Sequence, residues 1–342
     1  GNREWFEILQ KHHLPALMRK PIAECWGVVF MLRAAWSFNR ERCLSLLKQE
    51  WIESPGRDEQ TWQVLGAQPT WDVETTEMAC RTIRRSNIAL WRVNYEAREI
   101  SKTTPQLAPR LVEAFLTREL EKLEAEPDTR PPNFKPGTSE FEQKFTIALC
   151  HQPKQRFDRL LEHSNDWHGL DDVAVAAPAE FIRIMWPWFL RVWSHLPGKA
   201  SKVVFEFQSH GFFERSLDEN REVHASRIVV ALLRAIEGWA SESPDDFITF
   251  SNTERSRDSM FIQRLFLHGF RKSVDRVPDA CLTFLTSDDR RLMLGTAEFD
   301  HCDSITLIQE LLPHLKTESF KKLERAIAKW KYYRPGVYRR EP

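Results

Sequence analysis

The sequence predicts an all-α fold, an irregular helical-repeat solenoid of stacked α-hairpins in the manner of tetratricopeptide or HEAT arrays. Three observations carry this. Apolar residues recur at helical spacing from end to end, and no run of strict two-residue alternation is long enough to specify a strand. Glycine is scarce, 12 of 342 residues, about half the usual share of about 7%. Tryptophan (13) and phenylalanine (22) supply large side chains for helix packing.

In chain order, the apolar run Cys25 to Leu32 lies between Glu24 and Arg33. Leu107, Leu111 and Phe115, with Val112, Leu116, Leu120 and Leu123 alongside, form a helical stripe. Thr104-Pro105-Gln106 places a proline at its first position, where the missing N–H costs nothing. The clearest break is Glu126 to Gly137, with four prolines in twelve residues. Ser139-Glu140-Phe141-Glu142 then reads as a capping box. After a polar interruption, Ser164 to Asp172, comes a helix apolar over most of its circumference: Phe181, Ile182, Met185, Trp186, Trp188, Phe189, Val192 and Trp193, with Pro187 expected to kink it. Leu196 to Asp218 is irregular, with room for a short strand. Ala225, Val229, Leu232, Ile236 and Trp239 step by 4, 3, 4 and 3 on a helix near 221–242. Ser243-Pro244-Asp245 and Val277-Pro278-Asp279 open two more helices, and Phe320, Leu323, Ile327 and Trp330 stripe the last. The prolines at 105, 244 and 278 stand 139 and 34 apart, compatible with a degenerate repeat of about 35 residues. The organisation read from these breaks is a helical block 1–126, a linker 127–137, a helical-repeat block 138–333 and a basic tail 334–342.

Charge and cysteine usage narrow the function classes. Lys plus Arg and Asp plus Glu both number 49, so no global field draws the chain to nucleic acid or anionic membrane. The six cysteines are 18 or more residues apart without a CxxC pair, which points to a reduced, cytoplasmic setting. Apolar runs fall short of the roughly 20 residues a membrane span needs, so no membrane partner is expected. Gly1-Asn2-Arg3 reads as the scar of a cleaved tag on a piece of a longer protein.

Chemical motifs are weak. Leu196-Pro197-Gly198-Lys199-Ala200-Ser201 lacks the Gly and Ser or Thr of a phosphate loop, having Trp193 and Ala200 there. His12-His13, Cys150-His151 and His301-Cys302-Asp303 offer ligand types without a four-ligand zinc spacing, so no metal is expected. A cysteine nucleophile with a distant histidine stays open. Asp171-Asp172, Asp245-Asp246 and Asp288-Asp289 read best as helix caps. The segment from Lys316 to Arg340 is basic and holds three of the four tyrosines. Lys331, Tyr333, Arg334, Arg339 and Arg340 are therefore candidate nucleic-acid contacts, or else complement a helix dipole.

Arg84-Arg85-Ser86, Leu107 to Val112, Ala177 to Phe181, Ser287 to Gly295 and Phe320 to Glu324 together resemble the carboxyl-terminal helical-repeat region of bacterial antiviral STAND NTPases of the Avs type. The resemblance is diffuse, spans most of residues 70–333 and includes no catalytic motif. It implies a sensor that binds a phage protein, with nucleotide and effector modules elsewhere in the parent protein. With no P-loop or nuclease motif in this chain, no enzymatic activity and no cofactor are expected of it. The expected partner is a folded protein and the chain itself a monomer. The anchors predicted for it are Trp188 and Trp193 of the apolar helix, and Arg290 and Arg291, since Trp and Arg dominate binding hot spots. The alternative is a helical nucleic-acid-binding segment using the tail.

Overall fold

Helix-forming side chains and well-placed caps build fifteen α-helices among the described residues of a computed structural model. It describes residues 2–54, 56–66, 68, 70–125, 139, 157, 160–161, 169–196, 207, 217, 226–295 and 301–329. The helices are α1 Asn2–His12, α2 Leu14–Met18, α3 Trp26–Leu47, α4 Asp58–Leu65, α5 Val73–Arg85, α6 Leu90–Thr103, α7 Ala108–Ala125, α8 Leu170–Ala176, α9 Pro178–His195, α10 Arg227–Glu242, α11 Pro244–Glu254, α12 Met260–Lys272, α13 Pro278–Thr286, α14 Cys302–Leu311 and α15 Thr317–Lys329. No strand occurs among the described residues. The linker 127–137, the partners of the Ser139 capping box, nearly all of the irregular stretch 197–218 and the tail 334–342 lie outside them.

Contacts divide the chain into two compact units: Gly1–Asn133 with Asp166–Ala177 and Ile184–Phe189, and Phe134–Asn165 with Pro178–Arg183 and Leu190–Pro342. In the first unit α3 packs on α4, α4 on α5, α5 and α6 on α7, and α8 on α6. The stripe Leu107, Leu111, Val112, Phe115, Leu116 and Leu120 is buried there. α3 departs from helical geometry at Asn39 (φ −150°, ψ 53°). In the second unit α10 packs on α11 and α12, α12 on α14, and α13 on α14 and α15. Its centre is aromatic: Phe247 lies 5.1 Å from Phe270, 6.4 Å from Phe266 and 6.5 Å from Trp239, ring centre to ring centre.

Starts follow side-chain chemistry. Asp72 accepts from the Thr75 backbone N–H at 2.9 Å and Ser226 from that of Val229 at 3.3 Å. Pro244 and Pro278 stand in the first turns of α11 and α13, as expected. Pro105 does not. A turn closed by Leu107 N–H on the Thr104 carbonyl at 2.9 Å intervenes, and α7 begins at Ala108. The 139-residue interval therefore counts no helix starts. α9 runs on through Pro187. Of the predicted stripe on α15, Leu323 is buried and Phe320 and Ile327 are exposed, while Trp330 lies outside the described residues.

Many side-chain bonds join residues 30 to 40 positions apart, bridging each helix to one about two elements on. Arg40 pairs with Asp72, the Cys80 thiol faces the Arg110 carbonyl, and Arg118 reaches Ile83. In the second unit Arg276 reaches Ser241, Arg264 pairs with Asp303 and Arg271 with Glu310.

Candidate functional site

The predicted anchors divide by burial. Trp188 is 3% exposed and Trp193 is also buried, its ring 4.9 Å from that of Phe261. Arg291 is 2% exposed, and every nitrogen of its guanidinium is engaged. Nε donates to Gln263 Oε1 at 2.9 Å, Nη1 to the Phe284 carbonyl at 3.0 Å and Ser287 Oγ at 2.6 Å, and Nη2 to the Arg255 carbonyl at 2.7 Å. Burial lowers its pKa to about 10. These three side chains hold the fold together and offer a partner almost no surface. Arg290 is half-buried, held by Asp258 and Asp288 at 2.8 Å each and lying over the Phe207 ring at 4.0 Å. Lys331, Tyr333, Arg334, Arg339 and Arg340 lie outside the described residues.

The residue types behind the other chemical readings are also placed. Asp303 is taken by Arg264 at 2.5 Å, and the described residues contain no group of three or more possible metal ligands. Cys25, Cys43, Cys80, Cys281 and Cys302 form no disulfide. Burial pushes Cys43, Cys80 and Cys281 up to about 12, so the thiolate a nucleophile needs is disfavoured at all three. Asp171-Asp172 and Asp245-Asp246 sit in the first turns of α8 and α11, and Asp288 accepts from the Arg290 N–H at 3.0 Å. No single described helix is long and apolar enough to cross a membrane; α8 and α9 together pass by composition but meet at a 120° bend.

The first unit presents a surface that the sequence reading did not select. On α6, Val93, Ala97 and Ile100 step by 4 and 3 and are buried. Trp91 and Tyr95 fall off that stripe and stand 70% and 61% exposed. On α3, Trp26, Phe30 and Arg33 share a stripe by the same spacing, with Phe30 63% exposed. The signal for these residues was present: a Trp or Tyr off the buried stripe of an amphipathic helix must face outward unless another element covers it.

Residues of α3, α4 and α6 border a cleft of about 230 Å³, lined by Arg33, Trp62, Gly66, Trp91, Arg92, Tyr95 and Glu96. Gly66 ends α4 and leaves room for the carboxylate: a Cβ there would stand 2.8 Å from Glu96 Oε1. Burial, with the neighbouring Glu99, pushes Glu96 up to about 7 against the opposing pull of Arg92 and Arg33. Arg92 is engaged elsewhere, Nη1 donating to both oxygens of Glu59 at 2.7 Å. The second unit holds an apolar groove of about 370 Å³ along Leu292, His301, Ile305, Ile308 and Ile327. Comparison with family models, curated proteins and solved structures finds no match.

Proposed function

We propose that this chain is a protein-recognition module, an irregular helical-repeat solenoid serving as the cytoplasmic sensor region of a larger bacterial antiviral STAND NTPase, where it binds a phage protein. The observation that carries the reading is the exposed Trp91 and Tyr95 bordering one cleft with Arg33, Phe30 standing exposed three residues before Arg33 on α3. Large aromatic and arginine side chains dominate protein-binding hot spots, and soluble chains rarely leave such residues together without a use for them. The bridging bonds at 30 to 40 residues support the stacked-hairpin description, since each unit of a helical array contacts its neighbours in sequence. The likeness to the sensor region supplies the class of partner.

The test is capture of proteins from phage-infected and uninfected lysates on the immobilised chain, followed by reconstitution with the purified candidate. A phage-encoded protein is expected from the infected lysate alone, surviving nuclease treatment and lost with Trp91→Ala. Retention of nucleic acid that nuclease removes, unaffected by Trp91→Ala, would favour the basic tail instead and set this reading aside.

A further inference from the structure

We infer that the cleft formed by Trp62, Trp91, Tyr95 and Glu96 receives a cationic side chain, lysine or arginine, projecting from the partner protein. The inference rests on the recognition reading above and names what the partner must present.

Size comes first. At about 230 Å³ the cleft is smaller than the roughly 300–1,000 Å³ of pockets that take drug-sized ligands, and it suits one side chain. Its lining then selects the sign of charge. Three aromatic residues border it, and aromatic faces attract cations through the ring quadrupole, Trp most strongly. Glu96 closes no ion pair or hydrogen bond among the described residues, although it is largely withdrawn from water. A carboxylate in that position is costly until a counter-charge arrives. The chain's own cations, Arg92 and Arg33, pull on Glu96 but close no ion pair with it. Arg92 is turned to Glu59, and Arg33 is exposed to solvent. An anionic occupant would lie against Glu96 with Glu59 nearby and have only Arg33 unengaged. A cation instead gains the exposed aromatic rings of Trp91 and Tyr95 and the carboxylate together, while the exposed Arg33 remains solvated.

The charged groups facing Glu96 are Arg33 on α3, Glu59 on α4 through its pair with Arg92, and Arg92 and Glu99 on α6. As pH rises through about 7 the Glu96 carboxylate ionises, so affinity for a cation rises with it. For a single group titrating at that point, the ionised fraction changes about tenfold between about pH 6 and about pH 8.

The experiment titrates the full chain with three probes, the Nα-acetyl methylamides of lysine, arginine and norleucine, following the Trp91 indole resonance assigned by its loss in Trp91→Phe. Lysine or arginine amide is expected to shift that resonance, with about tenfold tighter binding at the higher pH, and norleucine amide is not. Glu96→Gln, which is close in shape and removes a desolvated charge, is expected to keep its melting temperature, weaken the cation at least about tenfold and flatten the pH response. Tyr95→Leu, an exposed position with nothing to unfold, is expected to weaken it several-fold. Norleucine binding as well as lysine, or Glu96→Gln binding the cation unchanged, overturns the inference. Failure of both cationic amides while phage-protein capture still depends on Trp91 sinks this inference alone. Cation binding with capture indifferent to Trp91→Ala supports the cleft and sinks the recognition reading.

Discussion

Buried arginines act here as collectors of backbone carbonyls. Helix C-termini leave carbonyls without intrahelical partners, and Arg118 on α7 gathers those at the end of α5 and the loop after it. Nη1 donates to the carbonyls of Ile83 at 3.2 Å, Ser86 at 2.5 Å and Ile88 at 3.2 Å, and the guanidinium lies 4.5 Å from the Phe115 ring centre. Arg291 does the same for Phe284 and Arg255. Arg118→Leu keeps most of the packing volume and removes every donor. It should lower stability by about 2–4 kcal/mol in chemical denaturation, because each orphaned buried acceptor costs about 1–3 kcal/mol and part of the loop relaxes into water. No loss would mean the loop carbonyls are already hydrated. None of this was legible locally. Arg118 meets its acceptors 30 to 35 residues away, and in sequence Arg291 carries no mark separating a fold-closing arginine from a partner-facing one. The expectation for Trp188 has the same physical origin: a helix apolar all round places its largest residues inward, and their hot-spot chemistry is then spent on the core.

Elements were more legible, since they depend on near neighbours. Pro244 and Pro278 mark helix starts in the structure, and Val229, Leu232, Ile236 and Trp239 are buried on α10. Pro105 misleads because a proline also suits a turn, and only the Leu107-to-Thr104 bond shows that α7 starts later. The exposed half of the α15 stripe shows the remaining limit: periodicity states which face is apolar, and whether another element covers it is a long-range matter. Close approach of helices was likewise invisible. Gly269 on α12 faces α10 and α11 so tightly that an added Cβ would meet the Phe247 ring and stand 2.9 Å from Ile236 Cγ2. Gly269→Ala gains up to about 1 kcal/mol of helix propensity, yet the fully buried Phe247 has no room to retreat. The net expectation is a loss of roughly 1–2 kcal/mol and a lower melting temperature, since overpacking typically costs about 1–3 kcal/mol. An unchanged or raised melting temperature would show that the α10–α12 contact is looser than its geometry indicates.

At the scale of the whole molecule, helices join neighbours one and two elements on, and the side chains left outside that pattern are the ones available to a partner. Phe30, Trp91 and Tyr95 are exposed, while Trp188, Trp193 and Arg291 are consumed by packing. All-helical class was readable because composition and periodicity act everywhere along the chain; the exposed aromatics proposed for recognition were not selected because exposure is a property of the assembled fold. The measurement that tests the central claim most directly is calorimetric titration of the reconstituted phage protein into wild type, Phe30→Ala, Trp91→Ala and Trp188→Ala, with a thermal melt of each. Trp91→Ala should cost at least about 2 kcal/mol of binding at an unchanged melting temperature, with a smaller loss for Phe30→Ala, whereas Trp188→Ala should lose roughly 3–5 kcal/mol of stability. Full affinity in both Phe30→Ala and Trp91→Ala, in proteins that melt like wild type, would contradict recognition through this surface.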